Sequence, residues 1–267
     1  MGKQYYIASV SWGKDSLAML FELVNRSMPL DEVIFYDTGM EFEAIYSMRD
    51  KALPLLKIWG IRYTELKPMH EFTYKMLNKP VQERNGGTHN GYSWCGGRCR
   101  WGTTDKLQAL DKYAKSKRAK VYVGIAADEL HRLDCERKPY KLFPLVKWGF
   151  TEAQCLQICY DRCFDWREST EDGYICLYDI LDRVSCWCCA NKNLKELKNI
   201  YIHLPTYWEQ LKDLQNHTGR PMKGYYKGEP RGVFELEKRF KAELTAGGKP
   251  INGRICFKNA DYLNQRN

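Results

Sequence analysis

A chain of 267 residues is long enough to bury one sizeable core and to carry a smaller unit beside it. Its hydrophobic content of 44% and charged content of 28% are ordinary for a globular protein, and no apolar run approaches the roughly 20 residues that span a bilayer. The start, Met1-Gly2-Lys3-Gln4, leads into a strand-like run with no secretory h-region, so a cytoplasmic protein without membrane contact is expected; the net charge of +9 suits a phosphate-rich partner or a solvated basic surface.

Tyr5–Val10 is aromatic and β-branched on both faces, as a buried strand requires. After the polar turn 11–16, Leu17, Leu20, Phe21 and Val24 recur at helical spacing up to Asn25, and Pro29 blocks further helix. Glu32–Tyr36 reads as a second strand ending at Asp37-Thr38-Gly39, Phe42–Trp59 as a helix kinked or broken near Pro54, and Arg62–Leu66 as a third strand. Lys67–Arg100 is irregular and glycine-rich, a pattern that accompanies functional or mobile segments. Helix is expected again over Thr104–Ser116 and strand over Lys120–Ile125. Strands alternating with helices predict a Rossmann-like α/β fold, a parallel sheet with helices on both faces. Beyond about Pro144 strand signals weaken, helical patterns occupy Thr151–Asp161 and Leu194–Gln215, and cysteines and basic residues accumulate. The expected organisation is a first domain over 1–146 and a C-terminal helical, cysteine-containing extension over 147–267.

The turn Ser11-Trp12-Gly13-Lys14-Asp15-Ser16 falls at the carboxyl edge of the sheet, where free backbone N–H groups and a helix dipole favour an anion. Gly13 permits close backbone approach, Lys14 adds a positive charge, and Ser11 and Ser16 supply hydroxyls. Asp15 either caps the helix or orients a ligand. A helix N-terminus with an incidental lysine is the plain alternative. A Walker A loop is excluded, because Ala8 and Asp15 stand where glycine and Ser/Thr are required. A dinucleotide fingerprint fails as well, since the turn holds a single glycine.

Eleven cysteines in a chain expected to stay in a reducing compartment suggest metal ligation or redox chemistry where they cluster. Cys95 and Cys99 share one glycine-rich loop, and Cys186 and Cys189 form a Cys-x-x-Cys pair interrupted by Cys188. Four thiolates from two loops, Cys95, Cys99, Cys186 and Cys189, would suit tetrahedral zinc or a cubane cluster, and spacing does not separate the two. Cys155, Cys159 and Cys163 recur at i, i+4, which fits buried packing on one helix face or a second ligand set. Cys135, Cys176 and Cys256 read as small apolar side chains. Between Thr218 and Lys258, ten Lys/Arg stand against four Glu, a local balance of +6 interleaved with Tyr225, Tyr226, Phe234 and Phe240. Such a region either binds tRNA or DNA or is a solvated basic surface around a helix over Glu235–Leu244.

Three segments together resemble a known family. Ser11–Ser16 is similar to the pyrophosphate-binding PP-loop of the adenine nucleotide α-hydrolases, usually Ser-Gly-Gly-x-Asp-Ser, with Trp12 in place of the first glycine. Phe35–Phe42 and Gly124–Glu129 with Arg132 resemble the second and third motifs of the phosphoadenylyl-sulfate (PAPS) reductase branch, in order over roughly the first 150 residues. The resemblance implies that Ser11, Trp12, Gly13, Lys14, Asp15 and Ser16 hold phosphates, while Asp37, Thr38, Gly39, Gly124 and Asp128 hold the rest of an adenine nucleotide. Simpler roles stand beside these: Asp37 capping a turn, Gly39 supplying a left-handed residue, Asp128 pairing with Arg132.

The assimilatory reductases carry a catalytic cysteine in a Glu-Cys-Gly-x-His context; here the chain reads Gly253-Arg254-Ile255-Cys256-Phe257-Lys258, so sulfite-forming reduction is not expected. Cys99–Thr103 followed by Lys106 resembles the first ligand segment of iron–sulfur members, and Cys186–Asn191 resembles Cys-x-x-Cys-Pro-Asn with Ala190 in place of proline. The resemblance therefore favours an iron–sulfur cluster over zinc. The expected chemistry is attack of an acceptor oxygen on the α-phosphate of ATP, giving an adenylylated intermediate and pyrophosphate, with sulfur insertion as a later step. Lys14 and Mg²⁺ would neutralise charge, with Arg132 and Arg100 as candidate catalytic partners. Alternatives are handling of adenylyl sulfate, and a nucleotide-sensing or nucleic-acid-binding subunit without turnover. A homodimer is an open assembly state.

Overall fold

The computed structural model describes residues 3–133, 138–171, 173–247 and, as backbone, 255–257. The chain divides into two compact units, each built from two stretches: 1–69 with 101–165, and 70–100 with 166–267. This partition departs from the expected boundary at 146/147 in two ways, and packing gives the reason for the first. The helix Glu152–Tyr160 lies against the first helix of the sheet domain, so the first unit continues to Asp165. The glycine-rich segment 70–100, expected within the first domain, folds with the C-terminal stretch.

The first unit contains β1 (Tyr6–Ser9), α1 (Lys14–Asn25), β2 (Glu32–Tyr36), α2 (Glu43–Ile58) and β3 (Arg62–Leu66). In the second unit, β4 (Pro80–Gln82) and β5 (Thr88–Asn90) form a hairpin; the chain then returns to the first unit for α3 (Lys106–Ser116), β6 (Lys120–Val123), β7 (Lys141–Leu142), α4 (Pro144–Trp148) and α5 (Glu152–Tyr160). The sheet order is β3-β2-β1-β6-β7, parallel throughout. Ala8 is in register with Val33 on one side and Tyr122 on the other. Successive side chains of a strand face opposite ways. Ile7, Ile34, Tyr36 and Val121 accordingly meet Leu110 and Ala114 of α3 on one face, and Ala8, Val33, Phe35 and Tyr122, of opposite parity, are buried on the other. Every residue of β2 is buried, which explains why it reads as a continuous apolar run apart from Glu32. That carboxylate accepts hydrogen bonds from the hydroxyls of Thr64 (2.5 Å), Tyr113 (2.8 Å) and Tyr5 (3.2 Å), so its burial leaves no polar atom unsatisfied. Pro54 lies inside α2 and the helix runs on past it, so of the kink or break expected there the break does not occur.

The second unit adds β8 (Arg167–Thr170), β9 (Gly173–Cys176), α6 (Leu177–Ile180), α7 (Leu194–His203), α8 (Pro205–Thr218), the small hairpin β10 (Tyr225–Tyr226) and β11 (Glu229–Pro230), α9 (Val233–Thr245) and β12 (Ile255–Phe257). Two corrections apply to the expected helical extension. The pattern Leu194–Gln215 is two helices, because Pro205 cannot donate the next helical hydrogen bond and instead occupies the first turn of α8. A three-stranded antiparallel sheet, β12-β9-β8, is also present; its strands are three or four residues long, too short for a clear alternation signal. The helices pack through Tyr201, Trp208 and Phe240, with ring centroids 5.3–6.0 Å apart. No helix among the described residues is long and apolar enough to cross a membrane.

Candidate functional site

Two candidate sites lie in separate units. The first is the turn between β1 and α1. Trp12 has φ 60, the left-handed region that a glycine would enter freely, at a cost of about 1–2 kcal/mol for an L residue. Its indole is fully buried, with ring centroids 6.3 Å from Phe35 and 5.9 Å from Tyr63. Burial of so large a ring offsets that cost, so the turn keeps a glycine-like path without the glycine. Gly13, extended at φ −79 and ψ 165, occupies the N-cap position; Asp15 therefore sits inside the first turn of α1 and is not the cap. The Ser16 hydroxyl donates to Gly13 O (3.1 Å), accepts from Ser11 N–H (3.1 Å) and lies 3.2 Å from the Ser11 hydroxyl.

Gly124, just past β6, closes the turn from the other side. A Cβ at this position would lie 2.7 Å from Ser16 Cα and 2.9 Å from Ser16 N, so only glycine permits the approach. Between β1 and β6 the strand order reverses direction, the place where open α/β sheets bind ligands. A cleft of about 170 Å³ opens there. It is lined by Ser9, Ser11, Ser16, Gly124, Arg132 and three further cation or anion carriers, Lys106, Lys141 and Asp111.

Lys14 is almost fully buried, and its ammonium is held by two carboxylates: Asp15 Oδ1 (3.0 Å) and Oδ2 (3.1 Å), and Glu152 Oε1 (2.6 Å). Burial opposes its charge, but Asp15 and Glu152 outweigh burial and lift Lys14 above the usual lysine range. Burial likewise raises the Asp15 carboxyl, with the Lys14 ammonium opposing it. Asp15, Glu129 and Glu152 present carboxylate oxygens within 4.8 Å of one another. Glu129 also accepts from Arg132 Nη1 at 2.5 Å. Glu152 stands 138 residues from Lys14 in the chain, and nothing in its own surroundings marks it except the Thr151–Gln154 capping box beside it.

The other residues expected at a nucleotide take simpler local roles in this structure. Asp37 Oδ1 accepts from Gly39 N–H and the Tyr46 hydroxyl, both at 2.8 Å, and Gly39 is left-handed at φ 73. Thr38 donates to Glu41 (3.1 Å) and accepts from Met40 N–H (3.2 Å). Asp128 accepts from Glu152 N–H at 3.0 Å, at the start of α5, while Arg132 pairs with Glu129 and not with Asp128. These bonds shape the second and third turns at the strand ends. Arg100, expected at the phosphates, belongs to the second unit, where its guanidinium lies 4.8 Å from the Tyr92 ring centroid.

The second site is the pair of cysteine loops. Asn191 clasps the loop between Cys95 and Cys99 through both its amide atoms: Gly97 N–H donates to Oδ1 (2.8 Å) and Nδ2 donates to Gly97 O (2.5 Å). The two cysteine segments are thereby fixed to each other within one unit. A hydrogen bond from Cys99 pulls the Cys95 thiol down to about 6, burial working against it and Arg100 assisting. Cys188 is buried; that burial, and then the neighbouring Cys186, Cys189 and Cys99, push its thiol well up. Cys95, Cys99, Cys186 and Cys189 are half-buried. Lys223 donates from Nζ to the carbonyls of Ala190 (2.6 Å) and Lys192 (2.5 Å), bracing the second loop. Two loops of thiols with lysine and arginine charge nearby offer the donor type that an iron–sulfur cluster or zinc takes, but among the described residues no three of these sulfurs lie within 4.8 Å of one another, the spacing tetrahedral zinc would need.

Cys155 and Cys159 are buried, and the Cys159 thiol donates to Lys14 O at 3.4 Å. Burial pushes Cys155 up to about 12 and Cys159 higher still, which fits packing between α1 and α5 and not ligation; Cys163 is exposed. Cys135 and the Cys256 side chain lie outside the described residues. Of the basic region, Phe240 is buried among the helices, and Arg239 and Lys241 pair with Glu243 (2.7 Å) and Glu237 (2.5 Å).

The sequence profile of the phosphoadenosine phosphosulfate reductase domain matches residues 5–157. An uncharacterized protein of Methanocaldococcus jannaschii is 27% identical over 252 residues, 88% of this chain and 55% of its own length. A second uncharacterized protein of that organism is 25% identical over 222 residues, 78% of this chain and 41% of its own. The chain thus spans about half the length of the curated relatives it matches. Among solved structures, the U34-tRNA thiolase NcsA from Methanococcus maripaludis, with its 4Fe-4S cluster, aligns over 91% of this chain and 72% of its own at 14% identity and a TM-score of 0.42.

Proposed function

The chain belongs to the phosphoadenosine phosphosulfate reductase domain family, and we propose that it uses the β1–α1 turn to bind ATP and transfer its adenylyl group to an acceptor. The observation that supports this reading is the closure of Gly124 onto Ser16, which leaves Ser11 and Ser16 lining a cleft at the switch point of the sheet. An acceptor oxygen attacks the α-phosphorus, the bond from that phosphorus to the bridging oxygen breaks, and pyrophosphate leaves with its electron pair; the acceptor proton passes to solvent. The chain's part in such a displacement is positioning and charge neutralisation.

Ser11 and Ser16, which line the cleft, would orient the phosphates with the backbone of Gly13 beside them, and Arg132 and Lys106, also in the lining, would meet charge that develops there. Lys14 supplies a further cation once its carboxylates are otherwise engaged. Asp15, Glu129 and Glu152 are oxygen donors of the kind Mg²⁺ takes, and the Lys14 ammonium already holds a cation's place between two of them. Mg²⁺ held there would neutralise the pyrophosphate. In the second unit, Cys95, Cys99, Cys186 and Cys189 would hold an iron–sulfur cluster, whose chemistry is electron transfer or sulfur activation. Sulfur insertion into the adenylylated acceptor is the step that such a centre would serve.

The test is exchange of labelled pyrophosphate into ATP by full-length protein, with and without candidate acceptors. Exchange that needs an acceptor and Mg²⁺ supports adenylyl transfer. Absence of exchange, together with calorimetric binding of adenylyl sulfate in preference to ATP, would overturn it.

A further inference from the structure

The second unit contains a larger cavity, about 580 Å³, whose walls carry three cations and three aromatic rings: Arg220, Lys223, Arg231, Tyr92, Trp94 and Tyr225. No carboxylate lines it. We propose that this cavity binds one unpaired nucleotide of a single-stranded polynucleotide, and that this strand is the acceptor; only the word acceptor rests on the function proposed above.

Charge bookkeeping singles out this place. The basic residues of α7, α8 and α9 are largely neutralised within the helices: Lys198 and Arg239 by Glu243, Lys212 by Glu209 and Glu237, Lys241 by Glu237. Among the described residues of the basic stretch, the cations without an ion pair are Arg220, Lys223, Lys227, Arg231 and Lys238, and three of these five, Arg220, Lys223 and Arg231, line the cavity. Unpaired guanidinium groups beside an acid-free wall are suited to phosphate.

The rings are placed for bases. The Trp94 indole is held by its N–H donating to Arg220 O at 2.9 Å, which fixes an aromatic wall in advance. Tyr225 stands at the rim, 68% exposed, and beside it Tyr226, outside the lining, is 60% exposed on the same hairpin strand. Lys227 and Arg231 lie over the Tyr226 ring, 5.6 and 5.8 Å from its centroid. Aromatic and cationic groups therefore continue past the cavity, as a chain of nucleotides would need and a lone nucleotide would not. Stacking requires unpaired bases, which selects single strands over duplex. Gly96, Ala190 and Asn191 also line the cavity, so a nucleotide seated here lies beside the loops that carry Cys95 and Cys189.

Fluorescence anisotropy of full-length, metal-loaded protein with fluorescein-labelled mixed-sequence ten-nucleotide RNA and DNA strands tests the proposal. Single strands should bind more tightly than the matching duplex. Tyr225→Ala should weaken binding about five- to 150-fold, the range of one lost base stack. Arg220→Ala and Arg231→Ala should each lower the slope of log affinity against log salt by about 0.7. Far-ultraviolet circular dichroism should be unchanged in all three variants, which shows that they fold. A preference for RNA or for DNA supports the proposal equally and reports whether the ribose hydroxyl is read. Duplex binding as tight as single-strand binding, variants that bind strands like the parent, or mononucleotides that compete as well as strands would overturn it. Strand binding that persists without pyrophosphate exchange would leave this site standing and sink adenylyl transfer alone.

Discussion

Gly124 approaches Ser16 so closely that a single added methyl group would sit 2.7 Å from the Ser16 Cα. The end of β6 and the start of α1 are thus in backbone contact, and the cleft between them exists in its present shape because one residue has no side chain. Gly124→Ala must push the turn away by several tenths of an ångström or more. Overpacking of this kind costs about 1–3 kcal/mol, which urea denaturation would read as a lowered midpoint. ATP affinity should fall by at least tenfold in the folded variant; calorimetric binding equal to the parent's would show that the turn is not where phosphate sits.

Lys14 and its carboxylates make opposed predictions with and without magnesium. Lys14→Ala should weaken ATP binding about ten- to a hundredfold, the worth of one charge-assisted phosphate contact. Glu152→Gln removes one of the anions holding the ammonium. It should leave magnesium-free ATP bound at least as tightly as in the parent, while weakening binding of the magnesium complex. Titrations in chelator and in excess Mg²⁺ separate the two effects.

Metal content tests the cysteine loops. Protein purified without oxygen should be brown, absorb broadly near roughly 400 nm and bleach with dithionite if the centre is iron–sulfur, and be colourless if it is zinc. Serine at Cys95, Cys99, Cys186 or Cys189 should lower the metal bound per chain; serine at Cys155 should not. Asn191→Ala, which cuts both hydrogen bonds to Gly97, should also lower it without removing a ligand. Full metal content in all four serine variants would exclude this ligand set.

Thiol reactivity separates the buried cysteines from the loop. In metal-free protein the Cys95 thiol, pulled down to about 6, is mostly thiolate at pH 7 and loses its reactivity as pH falls through that value. Cys155, pushed up to about 12, stays protonated and inert until strongly alkaline pH or unfolding. Timed iodoacetamide labelling with peptide mass spectrometry should give Cys95 early and Cys155 only after denaturant is added.

Much of the sheet was legible in the sequence because Tyr6–Ser9 and Glu32–Tyr36 lie in short runs rich in aromatic and β-branched residues, each followed by a helical pattern. These two strands and Arg62–Leu66 fall where the sequence predicts them. The turn was legible too, through Gly13, Lys14 and the serines. Glu152 was not: its contact with Lys14 depends on α5 folding back onto α1, and a lone glutamate after a capping threonine reads as helix dressing. Gly124 could be quoted from its motif, but its reason, a backbone approach, belongs to three dimensions. The short strands β8, β9 and β12 carried no alternation long enough to detect. The basic stretch had the right residues in too broad a frame, since intrahelical ion pairs that neutralise Arg239 and Lys241 are invisible until their partners are placed.

Each compact unit is assembled from two separate stretches of chain, and this order has a consequence during synthesis. The first unit cannot close until Asp165 has left the ribosome, although its first strand appears at the very start. Cys95 and Cys99 emerge long before Cys186 and Cys189, and at 5–20 residues per second the wait is about 4–17 s. Throughout that interval the nascent chain carries an early thiol pair with no mate. On the ligand set proposed above, Cys95 and Cys99 have to stay reduced and free of stray metal until the distal loop arrives and Asn191 clasps Gly97 between them.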